Sequence, residues 1–404
     1  MKKIINLSVF SLFAVLGFGQ TYFNGNWYEP MPTPKANLQQ LHSKVDPNFT
    51  NQFVRYDPVN QIETLVNNNI TSEKIESAST PGYHIDLHLA EDEVEDNREF
   101  TDPYYYGSIN DYPQCTSVKL FINFIGNSYV ASGVMIGERY VLTAGHCVYS
   151  GNDGGWPVSI TVVPSYENGG SAYGAYDAVS YLSWTGWTIN ADFNFDLGLI
   201  VLSECAGYST GWLGFGYDND NNFFYETLMR NFSYPAESPF TGQIMQYRYG
   251  YFDEVYTNQC FHTPRSYGGQ SGSGYYAKDL QENRYVYNVV SNTTDYETGA
   301  TRITQSNFED ILFEMNNWSC VLPTDEANTD FNLLIYPNPA TDIIQISGDF
   351  IKPLYMVITE MSGREVRHLP FNNHLLVAGM EPGLYTLTII TESSVISQKF
   401  IIAE

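Results

Sequence analysis

Three residues of complementary chemistry stand far apart in this sequence: His146, Asp196 and Ser271. His146 closes the stretch YVLTAGH, just past a short apolar run and a turn of small residues. An imidazole at such a strand end can reach a cleft, and its ordinary pKa of about 6.5 lets it take and return a proton near neutrality. Asp196 immediately precedes the apolar run LGLIVL. A carboxylate at that junction is partly buried and needs a donor. An imidazole N–H is a suitable one, and the carboxylate then fixes the ring's tautomer and stabilises its cation. Ser271 lies in GGQSGSG, Gly268 to Gly274. Glycine allows positive φ and leaves room for an approaching carbonyl, so the N–H groups of Gly269 and Ser271 can converge beside one hydroxyl. Together these supply a nucleophile, a base, an orienting anion and an oxyanion cradle, the requirements of acyl transfer. Each has a plainer reading when taken alone: a structural His, a turn Asp, a Gly/Ser loop.

A site of this kind needs a rigid scaffold. From about Asn110 to Thr304 the chain alternates short β-like runs (VKLFINF, YVASGVMIG, VSITVV, RYVYNVV) with Gly, Asn and Asp turns. Helical periodicity is absent there, so the spacing predicts an all-β sandwich or barrels. The first helix is expected late, capped by Ser306 with Glu309 as its box partner, and striped by Phe308, Ile311, Leu312 and Met315. Val321 to Asp330 reads as a linker, and from Asn332 a second all-β unit begins, a small sandwich. That unit holds His368 and His374 and no other catalytic grouping.

The bulk numbers narrow the function. The chain has 404 residues and a formal net charge of −26, with 19 basic and 45 acidic residues. Such a surface repels nucleic acid and anionic membranes. Lys2 and Lys3, the apolar run Val9 to Phe18 and the small-x-small Gly17-Phe18-Gly19 predict an export signal too short to span a bilayer. The polar stretch that follows ends in the acidic run Glu91 to Asp96 and reads as a propeptide. In it, HIDLHL puts His84, Asp86 and His88 on one strand face, which the alternation alone explains as half-exposed. Cys115, Cys147, Cys205, Cys260 and Cys320 form no CxxC, so no zinc cluster is expected. Disulfides are open to an exported chain, and the odd number leaves at least one thiol without an internal partner. DNDNN, Asp218 to Asn222, lacks the glycine and final carboxylate of a calcium loop and reads as a turn.

With the His, Asp and Ser in that order, the middle of the chain resembles a trypsin/chymotrypsin-fold serine protease over roughly residues 100 to 320. LTAGHC resembles the motif around the family's general base, and FDLGLIVL its buried-Asp strand. GGQSGSG resembles the Ser motif of the glutamyl-endopeptidase branch. The resemblance implies two six-stranded antiparallel β-barrels with the site between them and a C-terminal helix. It implies His146 as base, Asp196 as orienter, Ser271 as nucleophile, and Gly269 and Ser271 N–H as oxyanion hole. Val290-Ser291-Asn292 falls where the family borders the substrate side chain ahead of the scissile bond, and Ser291 would support Asp196. Arg265 and Ser266 fall at the floor of that pocket, so a cation there would select acidic side chains. This sequence departs from the family in three ways. Ala131 to Gly133 replaces a half-cystine region, leaving Cys147 without its usual partner. Tyr275 follows the Ser motif, and Val290 replaces a His of the glutamyl branch.

YPNPATDIIQIS, MSGREV, GLYTLTI and SQKFII resemble the sorting domain of the type IX secretion system of Bacteroidetes. The organisation expected is signal peptide 1–19, acidic propeptide 20–98, protease domain 99–320, linker 321–331 and sorting sandwich 332–404. The function expected is a secreted or surface serine endopeptidase, exported through the periplasm. It would act on protein or peptide substrates, engage the type IX machinery, and need no cofactor, metal, nucleic acid or membrane span. The alternative is a catalytically silent, protease-like binding or adhesion module, suited to a surface drawing on 32 tyrosines.

Overall fold

The computed structural model describes residues 20–36, 49–66, 77–78, 97–279, 283–317, 333–348, 353–360, 365–391 and 395–403. The export signal, HIDLHL, the acidic run and the linker lie outside them. The chain divides into two compact units, Met1–Asn317 and Trp318–Glu404.

The first unit is built on two sheets. In one, Ser128–Met135, Ser117–Asn123, Ser159–Pro164, Tyr176–Trp184, Gly198–Leu202 and Tyr140–Thr143 pair in that order. Tyr140–Thr143 returns to pair with Ser128–Met135, which closes a six-stranded barrel. The strands bury most of their side chains. Val118, Leu120, Ile122, Val130, Leu142, Leu199 and Ile200 form its interior. Burial on this scale contributes about 25 cal/mol per Å² of apolar surface removed from water. In the other sheet, six strands pair in the order Gln259–His262, Thr298–Arg302, Arg284–Thr293, Gly274–Lys278, Met229–Ser233 and Gln246–Gly250. Among the described residues its ends do not meet, so it is a half-barrel where a second closed barrel was expected. The end strands instead take on Glu254–Val255 at one edge and Asn97–Thr101 at the other.

The expected C-terminal helix is present as Gln305–Asn317, with Phe308 and Ile311 buried. Its cap differs from expectation. Thr304, two residues before Ser306, exchanges bonds with Asn307: Asn307 N–H donates to the Thr304 hydroxyl, and Thr304 N–H donates to the Asn307 side chain. The Thr304 carbonyl also accepts from Phe308 N–H, so the helix already starts there. DNDNN is a helix start: the Asp220 carboxylate accepts from Asn222 N–H and caps Asn221–Glu226.

Two pieces of the N-terminal stretch add strands to the barrel sheet. Phe53–Asp57 pairs with Tyr176–Trp184, and Asn26–Pro30 runs parallel to Ser128–Met135. Cys115, Cys147 and Cys260 are free and buried, whereas Cys205 is disulfide-bonded. The second unit holds a three-stranded and a four-stranded sheet sharing one apolar core around Ile344, Ile358, Leu387 and Phe400.

Candidate active site

Each site residue sits where a strand ends. His146 is in a single helical turn, Gly145–Val148, entered directly from Tyr140–Thr143. Asp196 ends the 3₁₀ turn Phe193–Phe195 and leads into Gly198–Leu202, which pairs with the strand before His146. The pairing Gly198↔Thr143 brings the carboxylate to the imidazole. One carboxylate oxygen accepts from His146 N–H at 2.7 Å, and the other lies 2.9 Å from His146 Nδ1. The Ser291 hydroxyl donates to that second oxygen at 2.6 Å. Asp196 is therefore held by three donors with no solvent exposure. Burial pulls the His146 pKa down, but the Asp196 carboxylate, reinforced by the Cys147 thiol, outweighs it and holds the ring above its ordinary value.

Ser271 reaches the same place from the half-barrel. Gly272, at φ +84°, lies so close to Thr143 that an added Cβ would sit 1.9 Å from its hydroxyl. Gly272 N–H donates to Val290 O and Val290 N–H to Ser273 O, tying the loop to Arg284–Thr293. Ser132, within the stretch where the family's half-cystine is missing, is the hub that sequence reasoning overlooked. Its N–H donates to Ser271 O at 2.9 Å, and its hydroxyl donates to Gly269 O at 2.8 Å. That hydroxyl also accepts from Tyr234 N–H. A polar residue inside the buried run YVASGVMIG was the available signal. Gly269, at φ +93°, has Tyr234 O only 2.6 Å from where a Cβ would stand, so its glycine is required.

The two atoms that would react, Ser271 Oγ and His146 Nε2, are both buried without a hydrogen-bond partner. Their supports are bonded, and they are not bonded to each other. Such a contact is commonly long in the absence of substrate. A hydroxyl, an imidazole that it can meet and a carboxylate behind that imidazole can carry nucleophilic acyl transfer.

The remaining predicted residues are spread around this centre. Asn292 donates to Gln259 at 2.8 Å and to Ser291 at 3.2 Å. Val290 packs in a small apolar cluster with Tyr275 and Ala300. Arg265 is partly exposed, 3.1 Å from Glu237, and stacked over Tyr267. Ser266 is fully buried and its hydroxyl has no partner. Sequence reasoning also passed over Arg248. It is buried inside the half-barrel and donates from Nη2 to the Tyr275 hydroxyl at 2.6 Å and to Thr298 at 3.2 Å. Its Nε and Nη1 have no partner. Thr298 in turn donates to Pro264 O, beside Arg265.

Comparison with known proteins finds relatives for parts of the chain. The trypsin family model matches residues 109–227, and the secretion system C-terminal sorting domain matches residues 334–403. An extracellular metalloprotease of Bacillus subtilis is 29% identical over 212 residues, covering 52% of this chain and 66% of that protein. A glutamyl endopeptidase of Bacillus licheniformis is 29% identical over 195 residues, covering 46% of this chain and 58% of that protein. The chain thus spans less than two thirds of either relative's length. A solved structure of a Glu endopeptidase in complex with MPD is 20% identical with a TM-score of 0.45, covering 55% of this chain and 98% of that one. The first relative's name invokes a metal. Among the described residues no three His, Cys, Asp or Glu side chains are grouped to hold one, and His146 Nδ1 is already engaged by Asp196.

Proposed function

We propose that this chain, a trypsin-family protein with a secretion-system sorting domain behind it, is a secreted or cell-surface serine endopeptidase. One observation carries the reading. Asp196 is fully engaged behind His146, while His146 Nε2 and Ser271 Oγ, the atoms that must exchange a proton, are buried and unpartnered.

In the proposed reaction Ser271 Oγ bonds to the substrate's carbonyl carbon while His146 Nε2 takes the hydroxyl proton. The charge gathers on the carbonyl oxygen, facing the N–H groups of Gly269 and Ser271. The C–N bond then breaks and His146 returns the proton to the leaving amine. Water, deprotonated by His146, attacks the resulting ester and restores Ser271. Asp196 stabilises the imidazolium at each step, and Ser291 holds Asp196 in place.

A preference for acidic residues ahead of the scissile bond is part of the proposal, and two cations are candidates for reading them. Arg265 is already paired with Glu237 in a half-exposed position. Arg248 has two nitrogens, Nε and Nη1, without a hydrogen-bond partner, and its contacts lead through Thr298 to Pro264. Arg248 is therefore the better-supported reader. The test is to replace each with Gln and compare kcat/KM on peptides carrying Glu or Leu before the cleaved bond.

Catalysis itself is tested by labelling the secreted, processed protein with a fluorophosphonate, with Ser271→Ala as blank. Labelling confined to the parent is expected. Absence of labelling would favour the silent binding module.

A further inference from the structure

The residues Tyr28–Ala36 run through the place where a substrate would lie. Met31 N–H donates to Val130 O at 2.8 Å, and Met31 O accepts from Gly269 N–H at 3.0 Å. Further on, Thr293 N–H donates to Pro34 O at 2.9 Å and Ala36 N–H to Thr293 O at 3.0 Å. In a few residues the segment thus touches the barrel strand Ser128–Met135, the Ser271 loop and the half-barrel strand Arg284–Thr293.

It is seated by apolar packing. Tyr28 and Met31 are buried, with Phe23 and Tyr28 both on the Phe121 ring. Lys35 adds an exposed pair with Asp295, whose contribution is small. Gly268 faces Pro30 and Met31 so closely that a Cβ there would meet them at 3.1 and 3.2 Å. With the segment in place Ser271 is fully buried and His146 is 5% exposed.

Its direction matters. Lys35 pairs with Thr293 in parallel. The half of a substrate that becomes the acyl group lies along Val290–Asn292, on the reading of the site given above. A substrate therefore runs from Thr293 toward Val130. This segment runs the other way, its N-terminal half on Val130 and its C-terminal half on Thr293. We propose that Tyr28–Ala36 is an internal strap that fills the catalytic cleft back to front. Its Met31 carbonyl takes the Gly269 oxyanion donor without offering a bond for cleavage, which keeps the unprocessed chain silent. This rests on the endopeptidase reading for the roles of Gly269 and Ser271, but the occupancy itself can be tested without catalysis.

The experiment compares the full chain with Met31→Asp, which puts a charge into the buried seat. Ala36→Pro serves as a second variant, since it removes the N–H given to Thr293 at the less buried exit. Each is made in parent and Ser271→Ala backgrounds, with thermal melting to confirm folding. In the Ser271→Ala background, hydrogen exchange over residues 267–271 and 291–294 should be slow in the unaltered strap and speed up in both variants. Adding a synthetic peptide of residues 20–36 should restore protection. In the active background, fluorophosphonate labelling of the unprocessed chain should rise by about 100-fold, as expected when a site populated at roughly 1% becomes open. Unchanged exchange and unchanged labelling in a folded variant overturn the strap. So does cleavage of the parent after Met31, which would make the segment a substrate. Faster exchange without any labelling leaves the strap standing and overturns the endopeptidase reading instead.

Discussion

His146 and His262 are both buried in the first unit, at 5% and 4% exposure, and burial disfavours the charged form of each. Their partners take them in opposite directions. His146 meets Asp196, and the carboxylate more than reverses the effect of burial. His262 donates from Nδ1 to Thr263 O and accepts at Nε2 from the Tyr275 hydroxyl, which itself accepts from Arg248. Burial first, then the Arg248 guanidinium, holds His262 well below its ordinary pKa. One sheltered imidazole is set to take a proton, and the other is locked neutral as a bridge in the half-barrel interior. Burial does not make a base. The charge placed behind the ring does.

Several experiments can break or sharpen that contrast. The largest effect is expected from Ser271→Ala, a fall in kcat on the order of 10⁶-fold with melting unchanged, since nucleophile and base act as one unit. A fall of less than about 100-fold, within reach of the binding and oxyanion terms alone, would place the nucleophile elsewhere.

Asp196→Asn should cost about 10⁴-fold, as when a buried triad carboxylate is neutralised. It should also move the pH profile. His146 works as a base only when neutral, so in the parent kcat/KM rises with pH through a midpoint above the ordinary imidazole value. Without the carboxylate that raised it, the midpoint must fall. A midpoint that stays put would show that another group controls the profile. Proton titration by NMR should show His262 neutral across that whole range.

Arg248→Gln should reduce the Glu-over-Leu selectivity by about 10- to 100-fold, the scale of a charge-assisted hydrogen bond in a sheltered site. The same change should let the His262 pKa climb. A loss of selectivity in Arg265→Gln alone would return the reading role to Arg265.

The smallest effects should come from the supports. Ser291→Ala removes one donor from Asp196, and Ser132→Ala frees Gly269 O and Tyr234 N–H; each should lower kcat by about 10-fold, the value of one such bond. Ser132→Ala should in addition lower the melting temperature, because it leaves buried backbone groups unpaired, and a change in melting alone would make Ser132 purely structural.

What was legible in the sequence was local. The small-residue turn before His146, the apolar strand after Asp196 and the glycines around Ser271 are chemical requirements met by neighbours in the chain. They could be read without knowing what they face. The period of the strands and of the late helix was legible for the same reason, although the cap at Thr304 was missed because Ser306 and Glu309 present an equally good local pattern. The partners were not legible. Ser132 beneath the Ser271 loop and Arg248 behind Tyr275 act across long stretches of sequence. Both were masked by runs that read as ordinary strand.

The sequence by itself singled out the side chains proposed for the chemistry, because each motif carries its own turn, cap or glycine. Only the tertiary structure decided what stands in front of them. The contact between Met31 and Gly269 joins residues far apart along the chain, and no spacing rule foretells it. It exists because a strand laid parallel on Ser128–Met135 must cross the Ser271 loop to reach Thr293.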